Sequence, residues 1–236
     1  MSLDVSPRII FWWSPSFYIT ETALWAMIVA AFLIIMALLS TRKLQRNPKG
    51  MQGVAELIVE TVYNFVRDTM GKRNMAFAPY IGTLFLFLFF SSLLGLLHWR
   101  AATADVNFAF AMAILVFLLI QINSIRSKGV GGYFKHFAKP YPFMYPINLL
   151  EEITFPLSLG FRIFGNILAG YIIMELFFDM LAGVTSGIGI PFLQMVIPLP
   201  LNFFFDMFEP GLQAFVFSML TMSFIARAIT YPGDEE

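Results

Sequence analysis

Arg162 stands in the run FPLSLGFRIFGNILAGYIIMELFF, where almost every neighbour is apolar. Placing an ionised guanidinium in hydrocarbon costs at least ~2.5–3.5 kcal/mol on insertion scales. Arg cannot shed its proton to escape that cost. A fixed cation at membrane depth marks a functional site and calls for an anionic partner. Asn166, four residues on, shares a helix face with it. Gly160, Gly165 and Gly170 are interspersed with the pair. They thin the helix, which opens Arg162 to a docking helix or serves packing within the chain.

Tyr171, Glu175 and Asp179 follow. Acids one turn apart repel, so this pair is expected to meet water, with Asp179 at the interface and Glu175 deeper, either there or lining an aqueous path. In the last apolar run, Asn202, Asp206, Glu209 and Gln213 recur at steps of three or four. That spacing draws a polar stripe down one face of an apolar helix. Interhelical hydrogen bonding accounts for Asn202 and Gln213 but poorly for two carboxylates. Exchange of protons or small cations among carboxylates and water accounts for all four. Pro198, Pro200 and Pro210 are expected to kink this helix and free backbone carbonyls. Glu151 and Glu152 precede Pro156. One complements the helix dipole, worth ~0.3–1 kcal/mol, and the other suits the lining of an aqueous exit. Gln121 and Asn123, at the end of an earlier span, are expected to be caps.

The elements that hold these residues are long apolar runs. The chain has 236 residues, 58% hydrophobic and 13% charged, against about 25% charged in a soluble domain. The expected fold is an all-α polytopic membrane protein forming a single domain over 1–236. A helix needs ~20 apolar residues to cross ~30 Å of hydrocarbon. Spans are expected at about 20–40, 78–97, 106–124, 147–183 and 188–229. The last two runs are too long to stand upright, so they are expected to form a steeply inclined hairpin, in mutual contact, turning at Gly183–Pro191. Between the first two spans, Val54, Leu57, Ile58, Val62, Phe65 and Val66 recur near the helical period, opposite Glu56, Glu60, Asn64 and Arg67. This predicts an amphipathic helix over about 52–70, at the membrane surface or packed on a soluble partner.

Arg42, Lys43, Arg46, Lys49, Lys72 and Arg73 flank the loop after the first span, and Arg126, Lys128, Lys135 and Lys139 follow the third. The positive-inside asymmetry therefore predicts an N-terminus outside and a C-terminus in the cytoplasm. The first span reads as a retained anchor rather than a removable signal. Formal net charge is +0, which gives nucleic-acid binding no support. There are no cysteines, and His98 and His136 lie far apart, so neither a metal site nor any cofactor is expected. Walker, HExxH and GxSxG motifs are absent, and the chain shows no equipment for catalysis of its own.

The segment PLSLGFRIFGNILAG, with NLLEEITFPLSL before it and GLQAFVFSML in the last helix, strongly resembles subunit a of the F-type ATP synthase membrane sector. The Leu-Glu-Glu form is similar to bacterial and chloroplast members, which implies a multi-pass protein of the bacterial plasma membrane. The resemblance implies a stator that presses two long helices against a ring of c subunits, alongside the peripheral-stalk b subunits and the rest of the complex. It offers H⁺ or Na⁺ two aqueous half-channels to and from the c-ring carboxylate. By the same resemblance Arg162 faces that carboxylate, favours its ionised form and blocks a leak between the half-channels. Asn166 and Gln213 match its polar neighbours, and Glu151 matches an acid of the cytoplasmic half-channel. Some members carry an acid and a His where this chain has Tyr171 and Asp206. The outer relay is therefore assigned to Asp206 first and Glu175 second. A secondary transporter binding an anionic substrate at Arg162 is the alternative, although no internal repeat supports it.

Overall fold

The computed structural model describes residues 9–14, 17–42, 50–97, 102–138, 141–188 and 197–229. Apolar runs become helices: α1 (Glu21–Thr41), α2 (Met51–Met70), α3 (Ala78–Leu93), α4 (Val106–Phe137), α5 (Tyr145–Ile188), α6 (Pro198–Phe203) and α7 (Glu209–Ala228). A π-helical turn, Phe204–Phe208, joins α6 to α7. Among the described residues, five stretches are long and apolar enough to cross a membrane: Glu21–Thr41, Lys72–Leu93, Val106–Lys135, Pro142–Gly183 and Pro198–Ala228. The spans are all helical, as expected for a polytopic membrane protein. A short antiparallel hairpin, β1 (Ile9–Ser14) and β2 (Phe17–Thr20), precedes them.

Local chemistry sets the helix starts. The Thr20 hydroxyl accepts from the Ala23 amide at 3.2 Å and caps α1. Asp105 caps α4 by accepting from the Asn107 amide at 2.9 Å, and its other carboxylate oxygen takes a 2.9 Å bond from the Thr22 hydroxyl of α1. One buried acid thus starts a helix and ties α1 to the body.

The core lies where α3, α4, α5 and α7 meet. Ala109, Ala113, Val116 and Ile120 form a buried stripe on α4. Ile81, Leu84 and Leu88 of α3, Leu159 and Ile163 of α5, and Phe217, Met222 and Ile225 of α7 pack around it. α2 docks through its second half. Val66 and Met70 are buried, Phe65 packs on Phe215 at 5.2 Å between ring centroids, and the Thr69 hydroxyl points at the Met219 sulfur. Its first half leaves Val54, Leu57 and Ile58 exposed, an apolar face suited to an interface.

Two expectations change. α4 does not end near 124; it runs on to Phe137 through a break at Gly129, whose φ of 69° is the left-handed region that glycine tolerates. The turn placed at Gly183–Pro191 is helical as far as Ile188, and 189–196 lie outside the described residues. The described helix of the last run begins at Pro198, in keeping with proline's place in a first turn.

The 44 residues of α5 extend about 66 Å at 1.5 Å each, twice the roughly 30 Å of hydrocarbon. α5 lies mainly along α4, and α7 mainly along α3. The two long runs are antiparallel and meet at Phe155–Phe224, Asn166–Gln213 and Gly170–Phe205. Their mutual contact is narrower than the sequence suggests.

Candidate functional site

Leu159 and Ile163 turn α5 toward the core, which leaves Arg162 half-buried at the edge of the buried face and Asn166 exposed. Among the described residues Arg162 makes no hydrogen bond and no ion pair. Its surroundings are apolar and open: Phe161 is 59% exposed, and a Cβ added at Gly165 would meet nothing within 4 Å. The other two glycines are committed inside the chain. A Cβ on Gly160 would stand 3.1 Å from the Phe110 ring, and one on Gly170 would stand 3.0 Å from Phe205. Only Gly165, one turn from Arg162, keeps a free surface of the kind an outside helix needs.

Asn166 reaches the last helix. Its Nδ2 donates to Gln213 Oε1 at 3.0 Å. Gln213 is buried, and its Nε2 has no hydrogen-bond partner among the described residues. Gln213 therefore meets Asn166 rather than Arg162.

The stripe of α6 and α7 turns inward. Asn202, Asp206 and Glu209 are half-buried and Gln213 is buried, while Leu199, Phe203, Phe204, Phe208 and Leu212 face out. The inward neighbour is α3. Gly95 brings its backbone against the Asp206 carboxylate, and Gly211 admits the Phe89 ring. By the register of these two contacts, Ser91 falls between Phe89 and Gly95 on the run of α3, as Glu209 falls between Asp206 and Gly211 on the facing run. Ser91 Oγ, Glu209 Oε1, Gln213 Nε2, Ser218 Oγ and Tyr80 Oη are all buried without a hydrogen-bond partner among the described residues. Ser91 and Tyr80 belong to α3, and Glu209, Gln213 and Ser218 to α7, the two helices that pack on each other. A buried polar atom left unpaired costs about 1–3 kcal/mol, so each of these groups calls for a partner beyond the described residues, water among them.

Two prolines act on this geometry. Pro210 lacks the N–H that would bond to the Asp206 carbonyl, and the preceding turn widens into the π-helical Phe204–Phe208. Pro156, inside α5, likewise removes the bond to the Glu152 carbonyl. Each proline stands four residues beyond an acid of the site.

Glu151 is exposed and Glu152 half-buried. Glu152 accepts a hydrogen bond from the Gln121 side-chain amide, and Gln121 Oε1 accepts one from the Tyr133 hydroxyl at 2.6 Å. The expectation that Gln121 and Asn123 are caps fails because α4 continues past both. Asn123 bonds back to the Leu119 carbonyl at 2.7 Å, and Gln121 reaches across to α5. Tyr171 is 60% exposed and Asp179 exposed, with Glu175 half-buried between them. Among the described residues none of these three hydrogen-bonds to Asp206, although the neighbouring Gly170 and Phe205 touch.

The sequence reading missed Ser91, Tyr80 and Ser218, and the Tyr133–Gln121–Glu152 chain. Ser91 carried a signal as half of a Ser-Ser pair in an otherwise apolar span, and the prolines four residues after Glu152 and Asp206 carried another.

The family model described as ATP synthase A chain matches residues 23–226. The chain is 33% identical over 220 residues to ATP synthase subunit a of Lysinibacillus sphaericus (strain C3-41), covering 89% of this chain and 92% of the relative. It is also 33% identical over 219 residues to ATP synthase subunit a of Moorella thermoacetica (strain ATCC 39073 / JCM 9320), covering 90% and 94%.

Proposed function

We propose, from the premise that the chain belongs to the ATP synthase A chain family, that it is the stator ion-channel subunit of a rotary F-type ATP synthase. Membership makes it a membrane component of that complex, without catalysis of its own. The reading goes further: two aqueous half-channels lead to and from a c-ring carboxylate, and Arg162 separates them. One observation carries it. Arg162, which has no hydrogen bond or ion pair among the described residues, stands on an open apolar face one turn from Asn166, and Asn166 is bonded to Gln213, a buried amide whose Nε2 is left unpaired among those residues.

The outward rings Phe203, Phe204 and Phe208, with Phe161 and Gly165 of α5, form the face against which the ring turns. A carboxylate brought there meets Arg162, and the positive charge favours the acid's ionised form. The outer path runs along the α3–α7 seam through Asp206, Ser91 and Glu209 to Gln213 and Asn166. Glu175 and Tyr171 lie on the open side of α5 as a second route. The inner path leaves past Glu152 and Glu151. Whether H⁺ or Na⁺ is carried is decided by the ring's own acid. The peripheral-stalk b subunits complete the stator, and the Lys/Arg asymmetry sets the N-terminus outside a bacterial plasma membrane.

The test is ATP-driven pumping by the assembled complex in liposomes. Arg162→Ala should abolish pumping. Arg162→Lys should also fail to restore it, because a compact ammonium does not reproduce the planar five-donor fork. Normal pumping by Arg162→Ala would make the arginine structural and end this reading.

A further inference from the structure

The last turns of α4 are folded back on the body, and what they hold is Glu152. In an unbroken helix, residues twelve positions apart are separated by about 18 Å along the axis. Yet the Tyr133 hydroxyl lies 2.6 Å from Gln121 Oε1. The reversal at Gly129 makes this possible, since its φ of 69° and ψ of 164° break the helix in a conformation closed to other residues. Beyond the break the segment is fastened to the start of α5. Asn148 Nδ2 donates to the Phe137 carbonyl at 2.8 Å, the Phe137 ring meets Tyr145 at 6.1 Å, and Tyr133 meets Phe137 edge-on at 5.0 Å.

The chemistry of the three groups fixes their order. An ionised carboxylate only accepts, so the Gln121 amide turns its Nε2 toward Glu152. Its oxygen then faces Tyr133, which donates. The tyrosine hydroxyl thereby locks the amide in the orientation that serves the acid. Among the described residues only one Glu152 oxygen is engaged.

We infer that Tyr133 and Gln121 are positioning residues for Glu152 in the inner half-channel, held there by the reversal at Gly129. The inference rests on the stator reading above. Neither residue touches the ring's acid. They set where Glu152 stands and which of its oxygens is free.

The test is a double-variant cycle on the assembled complex in liposomes, reading ATP-driven pumping against ATP hydrolysis. Tyr133→Phe removes only the hydroxyl and keeps the ring contacts with Phe137. It should slow pumping about 3- to 10-fold at unchanged assembly, the scale of one lost hydrogen bond. The near-isosteric Gln121→Met should do the same. Because both act through one chain, the double variant should lose no more than either single one. A Tyr133→Phe complex that pumps at the wild-type rate overturns the inference, as do fully multiplicative losses. Gly129→Ala supplies an independent check, since it should give the same loss with both side chains present, and normal pumping would count against the reversal. Arg162→Ala is run alongside. Lost pumping there with normal pumping in Tyr133→Phe sinks this inference alone, whereas normal pumping in Arg162→Ala sinks the stator reading beneath it.

Discussion

Two polar regions flank Arg162, and they are built in opposite ways. Along the α3–α7 seam, Ser91, Glu209, Gln213, Ser218 and Tyr80 each bury a polar atom that no described residue satisfies. Between α4 and α5, Tyr133, Gln121 and Glu152 satisfy one another in sequence. Unpaired buried groups are tolerated where water enters, while paired groups hold each other in place without it. The seam is suited to a hydrated path whose members exchange partners. The α4–α5 chain is suited to a single acid in a fixed position.

The contrast can be broken at several points. Glu209→Gln keeps the shape of the seam and removes a carboxylate whose Oε1 is buried, so pumping should fall by about tenfold or more, on the scale of a lost general acid–base group. An unchanged rate would remove Glu209 from the path. Ser91→Ala separates hydration from packing. If the hydroxyl were merely an unsatisfied core group, its removal would be neutral or stabilising and pumping would be unaffected. As a member of a wet path it should slow pumping about threefold while thermal unfolding in detergent is unchanged or improved.

The glycines sharpen the comparison through stability. Gly160→Ala puts a methyl 3.1 Å from the Phe110 ring, which must shift by a few tenths of an ångström, so it should be less stable than Gly165→Ala by about 1 kcal/mol. Gly165→Ala meets no atom. It should leave the isolated chain as stable or up to about 1 kcal/mol more so, by helix propensity, yet impair the assembled complex if the ring approaches there. A smaller effect is expected at Asp105→Ala. Loss of the α4 cap and of the Thr22 bond should lower stability by about 1 kcal/mol and leave coupling intact, and a coupling defect would bring α1 into the pathway.

The two regions were not equally legible in the sequence. Arg162 and the Asn202–Asp206–Glu209–Gln213 stripe stood out because charge in an apolar run is costly wherever the helix turns. Helical spacing alone put the four stripe residues on one side. The seam needed a second helix: Ser91 gains its meaning from the level at which Gly95 and Gly211 bring α3 and α7 together, and one strand of sequence does not contain that register. The α4–α5 chain was hidden for a different reason. Its bonds span twelve and thirty-one residues, and the polar stretch SIRSKG reads as the end of a span, although Ser, Arg and Lys continue the helix up to Gly129. The first part of the turn read at Gly183–Pro191 is helix, because Gly183 and Ser186 read as punctuation whereas α5 carries both; 189–191 lie outside the described residues.

The central claim is that Arg162 keeps two half-channels apart, and passive ion leak tests it most directly. Liposomes bearing the assembled complex with Arg162→Ala should leak ions down an imposed gradient while the wild-type complex stays tight. A c-ring inhibitor should block the leak, and adding Glu209→Gln should reduce it. A tight membrane with intact ATP-driven pumping in Arg162→Ala would contradict the claim, because an arginine that separates two paths cannot be removed without joining them.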